Sequence, residues 1–115
     1  MLILISDKER LYDILTYSDQ VIEVASSITR DDLFNFRNLN CIAYSLQTVG
    51  EAAGKLSEFF KQSNPQVEWE KIIAMRHRLV HGYGKLDLDI IWRVSTEEIP
   101  PLRAAVAEIL NAAWT

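Results

Sequence analysis

Ser6-Asp7-Lys8-Glu9-Arg10-Leu11-Tyr12-Asp13-Ile14-Leu15-Thr16-Tyr17-Ser18-Asp19-Gln20-Val21-Ile22-Glu23-Val24-Ala25 decides the fold class. Leu11, Ile14, Leu15, Ser18, Val21, Ile22 and Ala25 recur at three- and four-residue steps, the spacing that lines one face of an α-helix. Ser6 and Glu9, three apart, have the form of a capping box. The pattern predicts an amphipathic helix over residues 7–27, and its apolar face requires partners.

Those partners follow in order. Thr29-Arg30-Asp31-Asp32 has the look of a second helix start, leading through Leu33 and Phe36 into Leu39, Ile42, Ala43, Leu46, Val49, Ala53, Leu56 and Phe60. We expect one long helix there, ending near Gln62, with a short helical turn ahead of it. Asn64-Pro65 marks a boundary, because proline suits the first turn of a new helix and opposes continuation of an old one. A third helix is expected from Pro65 to Val80, ended by Gly82 and Gly84. Periodicity resumes from Asp87 to Val94, and Pro100-Pro101 should break or kink it before a last helix carrying Leu102, Val106, Ile109 and Leu110. No strand-length alternation stands between hairpin signals, apart from the ambiguous Leu2–Ile5 run. The fold class expected is all-α, an antiparallel bundle of four to five helices in a single domain over residues 1–115.

With 115 residues, 49% of them apolar, the chain can bury one core and no second. A net charge of -4 opposes nonspecific coating of nucleic acid, which needs many cationic contacts with phosphates, but permits a grip on one or two of them. The single cysteine, Cys41, excludes an internal disulfide. Met1–Ile5 is too short an apolar run for a signal peptide or membrane span, so a reducing cytoplasm is the expected home.

The chemistry concentrates in Arg76-His77-Arg78-Leu79-Val80-His81-Gly82-Tyr83. This run gathers a cation suited to phosphate, a proton carrier titrating near neutral pH and a phenolic hydroxyl. On a straight helix Trp69, Ile72, Ile73, Leu79, Val80 and Tyr83 fall within about 60° of Arg76, which places that arginine in the middle of an apolar stripe. A guanidinium there demands a structural carboxylate, with Glu51 the candidate, a cleft, or a phosphate-bearing ligand. His81 lies roughly 140° from Arg76 on the same straight helix. Either the helix unwinds at Val80–Gly82, or a second subunit completes the site.

Other candidates carry less. His77 and His81 have a metal-binding spacing, and Glu70 is the third ligand on offer, but zinc sites usually take three histidine or cysteine ligands that this chain lacks. No metal or other cofactor is expected. Cys41 falls in an apolar helix stripe and reads as core. Asp31-Asp32 and Glu97-Glu98 read as charges complementing helix starts. Gly50-Glu51-Ala52-Ala53-Gly54 allows another helix to approach closely, and Glu51 can orient Arg76 or His81.

Arg76, four residues, His81, one residue and Tyr83 resemble the motif of the HepT-like toxins, within the wider HEPN superfamily of helical ribonucleases. The Gly50–Ala53 segment, Trp69 and the Ile91-Trp92 to Pro101-Leu102 tail fit the same family. The resemblance implies a metal-independent endoribonuclease of a type VII toxin-antitoxin pair, possessing Arg76 to hold phosphate, His81 to move protons and His77 in a supporting place. It also implies a homodimer with a shared cleft, an RNA substrate such as tRNA, and a nucleotidyltransferase antitoxin that silences the toxin by attaching AMP to Tyr83. It implies no DNA or membrane partner. The alternative is a noncatalytic helical subunit that binds a nucleotide or docks a nucleotidyltransferase.

Overall fold

The computed structural model describes residues 3–80 and 84–113, and these are helical apart from connections and one isolated bridge. The first helix, α1 (Ile5–Ser26), buries Leu11, Ile14, Ser18, Val21 and Ala25, as its periodicity requires. Its start differs from the expected capping box. Leu4 is the N-cap, its carbonyl accepting from Lys8 N–H at 2.9 Å, and no side chain caps the helix. Ser6 lies inside the helix, and its neighbour Asp7, 3% exposed, turns into the protein.

Asp7 explains why the expected long second helix is two helices. A 3₁₀ turn (Arg30–Phe34), closed by a Thr29/Asp32 capping box, leads into α2 (Phe36–Gly54), which ends at Gly54 instead of near Gln62. After a turn at Lys55-Leu56, α3 (Glu58–Ser63) begins with Ser57 as its cap. Ser57 donates to Asp7 through both its N–H (2.8 Å) and its hydroxyl (2.7 Å), while its Oγ accepts from Phe60 N–H at 3.1 Å. A carboxylate from fifty residues earlier thus organises a helix start that local spacing does not reveal.

The third helix is likewise shorter than expected. Residues 64–68 form a turn in which Trp69 donates its indole N–H to the Asn64 carbonyl at 2.9 Å and packs edge-on against Phe60 at 5.7 Å. Only then do α4 (Trp69–Ile73) and α5 (Met75–Arg78) follow, offset from each other at Ala74. At the C-terminal side Pro100-Pro101 do not break the chain's helicity. Helix α6 (Leu88–Arg93) passes through a π-helical turn (Val94–Glu98) into α7 (Ile99–Ala113), with Ile99 N–H bonded five residues back to the Val94 carbonyl. The prolines at 100 and 101 lack the N–H groups a continuing helix would use, and the wider turn ahead of them gives their rings room beside the preceding carbonyls.

Helix α1 is the centre of the packing, against α2 on one side and α7 on another. Gln20 meets Ser45 of α2 at 3.2 Å, Tyr17 meets Tyr44 edge-on, and Asp19 receives Arg103 of α7 at 2.8 Å. The core runs through Leu11, Ile14, Val21, Leu46, Val49, Ile91 and Val106, none exposed. Cys41, expected in this core, is exposed, because α2 turns Ile42 and Ala43 inward instead. No helix of the described residues is long and apolar enough to cross a membrane.

Candidate functional site

The arginine-rich turn α5 is only four residues long, and packing rather than helix propensity holds it. Met75 and Leu79, four apart and both fully buried, anchor its inner face. Gly50 of α2 makes room for Met75: a Cβ on Gly50 would lie 3.1 Å from the Met75 Cβ and 3.0 Å from the Ile72 carbonyl oxygen. With Met75 directed inward, the next residue turns away by about 100°. Arg76 is therefore exposed, contrary to the expectation that it occupies the centre of the apolar stripe.

Arg76 has no hydrogen-bond or ion-pair partner among the described residues. The expected pair with Glu51 is not made, and Glu51 is itself exposed on α2. His77 and Glu70 are exposed too. Among the described residues no group of three histidine, cysteine or carboxylate side chains is placed to hold a metal. His81 and Tyr83 lie outside the described residues. The helix ends before them: α5 stops at Arg78, Val80 forms an antiparallel bridge with Leu86, and Asp87 N–H donates to the Leu79 carbonyl at 2.8 Å. The straight helix expected to continue to Val80 is therefore not formed past Arg78. Gly84, at φ 76°, takes a backbone conformation natural to glycine within this connection.

The contact that sequence reasoning missed is made by Arg78. Its two terminal nitrogens donate to the two carboxylate oxygens of Glu98, at 2.9 and 2.6 Å, with side chains only 21% and 19% exposed. Lys71 of α4 approaches the same carboxylate at 3.6 Å. The hydrogen bonds from Arg78 hold the Glu98 carboxyl below the usual carboxylate range; partial burial opposes this, and the charges of Arg78 and Lys71 assist it. Glu98 also raises the Arg78 guanidinium further above its ordinary value. Glu98 is thus no simple helix-start charge, as Glu97-Glu98 had suggested. It lies in the π-helical turn and reaches across to the arginine-rich one. Twenty residues and an irregular helix separate the partners, so no local spacing signals the pair.

A cleft of about 330 Å³ between the α4 region and α7 includes Glu68, Lys71, Glu97 and Glu98 in its lining, but not Arg76. Its acidic rim is unsuited to a polyanion, whereas the Arg76 side of α5 presents a cation that no carboxylate of the described residues engages.

Comparison with known proteins identifies the family. Residues 14–109 match the model of the family described as "Ribonuclease HepT-like". A protein named "Putative RNase TTE0752" from Caldanaerobacter subterraneus is 34% identical over 102 residues, covering 88% of this chain and 91% of that one. "Probable ribonuclease HepT" from Thermococcus cleftensis is 28% identical, covering 85% and 90% of the two chains, and "Putative RNase MJ1380" from Methanocaldococcus jannaschii is 28% identical, covering 86% and 92%. No solved structure matches the chain significantly. With the family match extending from the middle of α1 nearly to the end of α7, the chain belongs to the ribonuclease HepT-like family.

Proposed function

We propose that this protein is a metal-independent endoribonuclease toxin whose reaction is carried by Arg76 and His81. The observation that supports it most directly is Arg76, an exposed guanidinium without a partner among the described residues, on a packed turn that ends before His81. His81 takes the proton from an RNA 2′-hydroxyl, whose oxygen attacks the adjacent phosphorus. The bond to the 5′-oxygen breaks, that oxygen gains a proton, and a 2′,3′-cyclic phosphate and a 5′-hydroxyl remain. Arg76 binds the phosphate and stabilises the charge that gathers on its oxygens. In a homodimer the two motifs face a shared cleft. The α1 and α2 helices read as an antiparallel pair within each subunit, supported by Asp7 meeting Ser57 while Gln20 meets Ser45.

Control falls to Tyr83, two residues after His81. A nucleotidyltransferase antitoxin attaches AMP to its hydroxyl, and the added phosphate occupies Arg76 in place of RNA. Purified protein is expected to cleave RNA in EDTA, leaving cyclic phosphate ends. Acid-base catalysis contributes about 10²- to 10⁴-fold, so His81→Ala falls by that factor while staying folded, and Arg76→Ala falls similarly. Full activity in His81→Ala would overturn the reading. RNA that stays intact with the wild type would favour a noncatalytic docking subunit.

A further inference from the structure

We propose that Glu98 is a positioning residue for this reaction: by clamping Arg78 it fixes the rotation of the turn Met75–Arg78, so that Arg76 faces outward for a phosphate. The inference rests on the ribonuclease reading above. Four residues form no self-sustaining helix, and α5 depends on what grips it. Met75 and Leu79 set its depth, but apolar contacts are non-directional and tolerate a twist. A planar guanidinium bound through two nitrogens to two carboxylate oxygens does not. Arg78 stands two positions from Arg76, about 200° around the turn, so fixing one direction fixes the other.

The clamp also sorts the cations. Lys71, Arg76, His77 and Arg78 lie along α4 and α5, and Glu98 engages Lys71 and Arg78 while Arg76 has no carboxylate partner among the described residues. Arg78 has both terminal nitrogens bonded to Glu98, whose charge offsets its own. What brings Glu98 to this place is the π-helical turn, whose extra residue shifts the helix face ahead of Pro100.

Two measurements on the full chain test the proposal. The first is amide exchange by mass spectrometry: Glu98→Gln should speed exchange over residues 75–79 more than over α1. The second is a single-turnover cleavage cycle with wild type, Glu98→Gln, Arg76→Ala and the double variant. Misplacement of a binding group commonly costs 10- to 100-fold, so Glu98→Gln should lower the cleavage rate by roughly tenfold at saturating enzyme. In the Arg76→Ala background the same change should alter the residual rate less than about twofold, because the two residues act as a unit. The charge swap Arg78→Glu with Glu98→Arg should recover activity relative to either single change. Equal fractional losses in both backgrounds, or unchanged exchange at residues 75–79, would overturn the proposal. A wild type that cleaves no RNA would sink the ribonuclease reading and the catalytic consequence with it, while the exchange measurement still decides whether Glu98 holds the turn.

Discussion

Gly50 provides a quantitative test of how the arginine-bearing turn is held. In Gly50→Ala the new methyl meets the Ile72 carbonyl oxygen at 3.0 Å and the Met75 Cβ at 3.1 Å. Both lie below normal van der Waals separation and one belongs to the backbone, so α4 and α5 must move by a few tenths of an ångström. Overpacking of this kind costs about 1–3 kcal/mol. Against it stands the gain of replacing glycine inside a helix, roughly 1 kcal/mol. Gly54, four residues later on α2, separates the two effects. A Cβ there meets nothing closer than Ile73 Cγ2 at 3.9 Å, an ordinary contact. Gly54→Ala should therefore be neutral or stabilising by up to about 1 kcal/mol, and Gly50→Ala less stable than it by about 1–3 kcal/mol. Urea unfolding of both variants measures the difference, which corresponds to roughly 4 °C in melting temperature per kcal/mol at this chain length. Gly50→Ala as stable as Gly54→Ala would refute the close approach. Because Met75 precedes Arg76, Gly50→Ala should also slow RNA cleavage, whereas Gly54→Ala should not.

Two further expectations concern the same region. Leu79→Ala empties a fully buried position and should cost about 2–5 kcal/mol by urea unfolding; a loss below 1 kcal/mol would mean that α5 is not seated as described. The Arg78–Glu98 pair should leave a mark in acid. Because folding depresses the Glu98 carboxyl, its stabilisation is fully present above the ordinary carboxylate value of 4.5 and is lost as pH falls through the lower folded value. Arg78 stays cationic throughout, so the stability difference between wild type and Glu98→Gln, about 1–3 kcal/mol at neutral pH, should shrink below that point. A difference that remains constant from neutral pH into strong acid would contradict the assignment.

The all-helical class was legible because the stripes of α1 and α7 keep their three- and four-residue spacing over several turns, and a 3.6-residue period cannot be satisfied by a strand. The breaks were not legible, because distant residues decide them. Ser57 begins α3 with the help of Asp7, fifty residues earlier, and the same demand on Asp7 draws it into the protein instead of leaving Ser6 to cap α1. The Asn64 carbonyl and Trp69 indole together delay the third helix past Pro65. Each contact involves one polar group with several possible partners, so its sequence neighbourhood leaves the choice open.

Arg76 shows how such a choice reaches function. A helical wheel centred on it captured the apolar residues around it but not which of two adjacent positions, 75 or 76, faces α2. The answer lies in Gly50, whose missing side chain admits Met75, and turning Met75 inward turns Arg76 out. Type and spacing thus singled out Arg76, whereas its outward direction follows from a glycine below the turn and, as proposed, from a carboxylate beside it. Neither support belongs to the motif. Glu98 reaches Arg78 from the π-helical turn that precedes the prolines at 100 and 101. A straight α-helix through residues 94–98 would wind Glu98 to a different direction, away from Arg78. Substituting both prolines with alanine removes the steric reason for the wider turn. If the π-helical geometry then relaxes, Arg78 loses its carboxylate, and cleavage falls although no motif residue has changed.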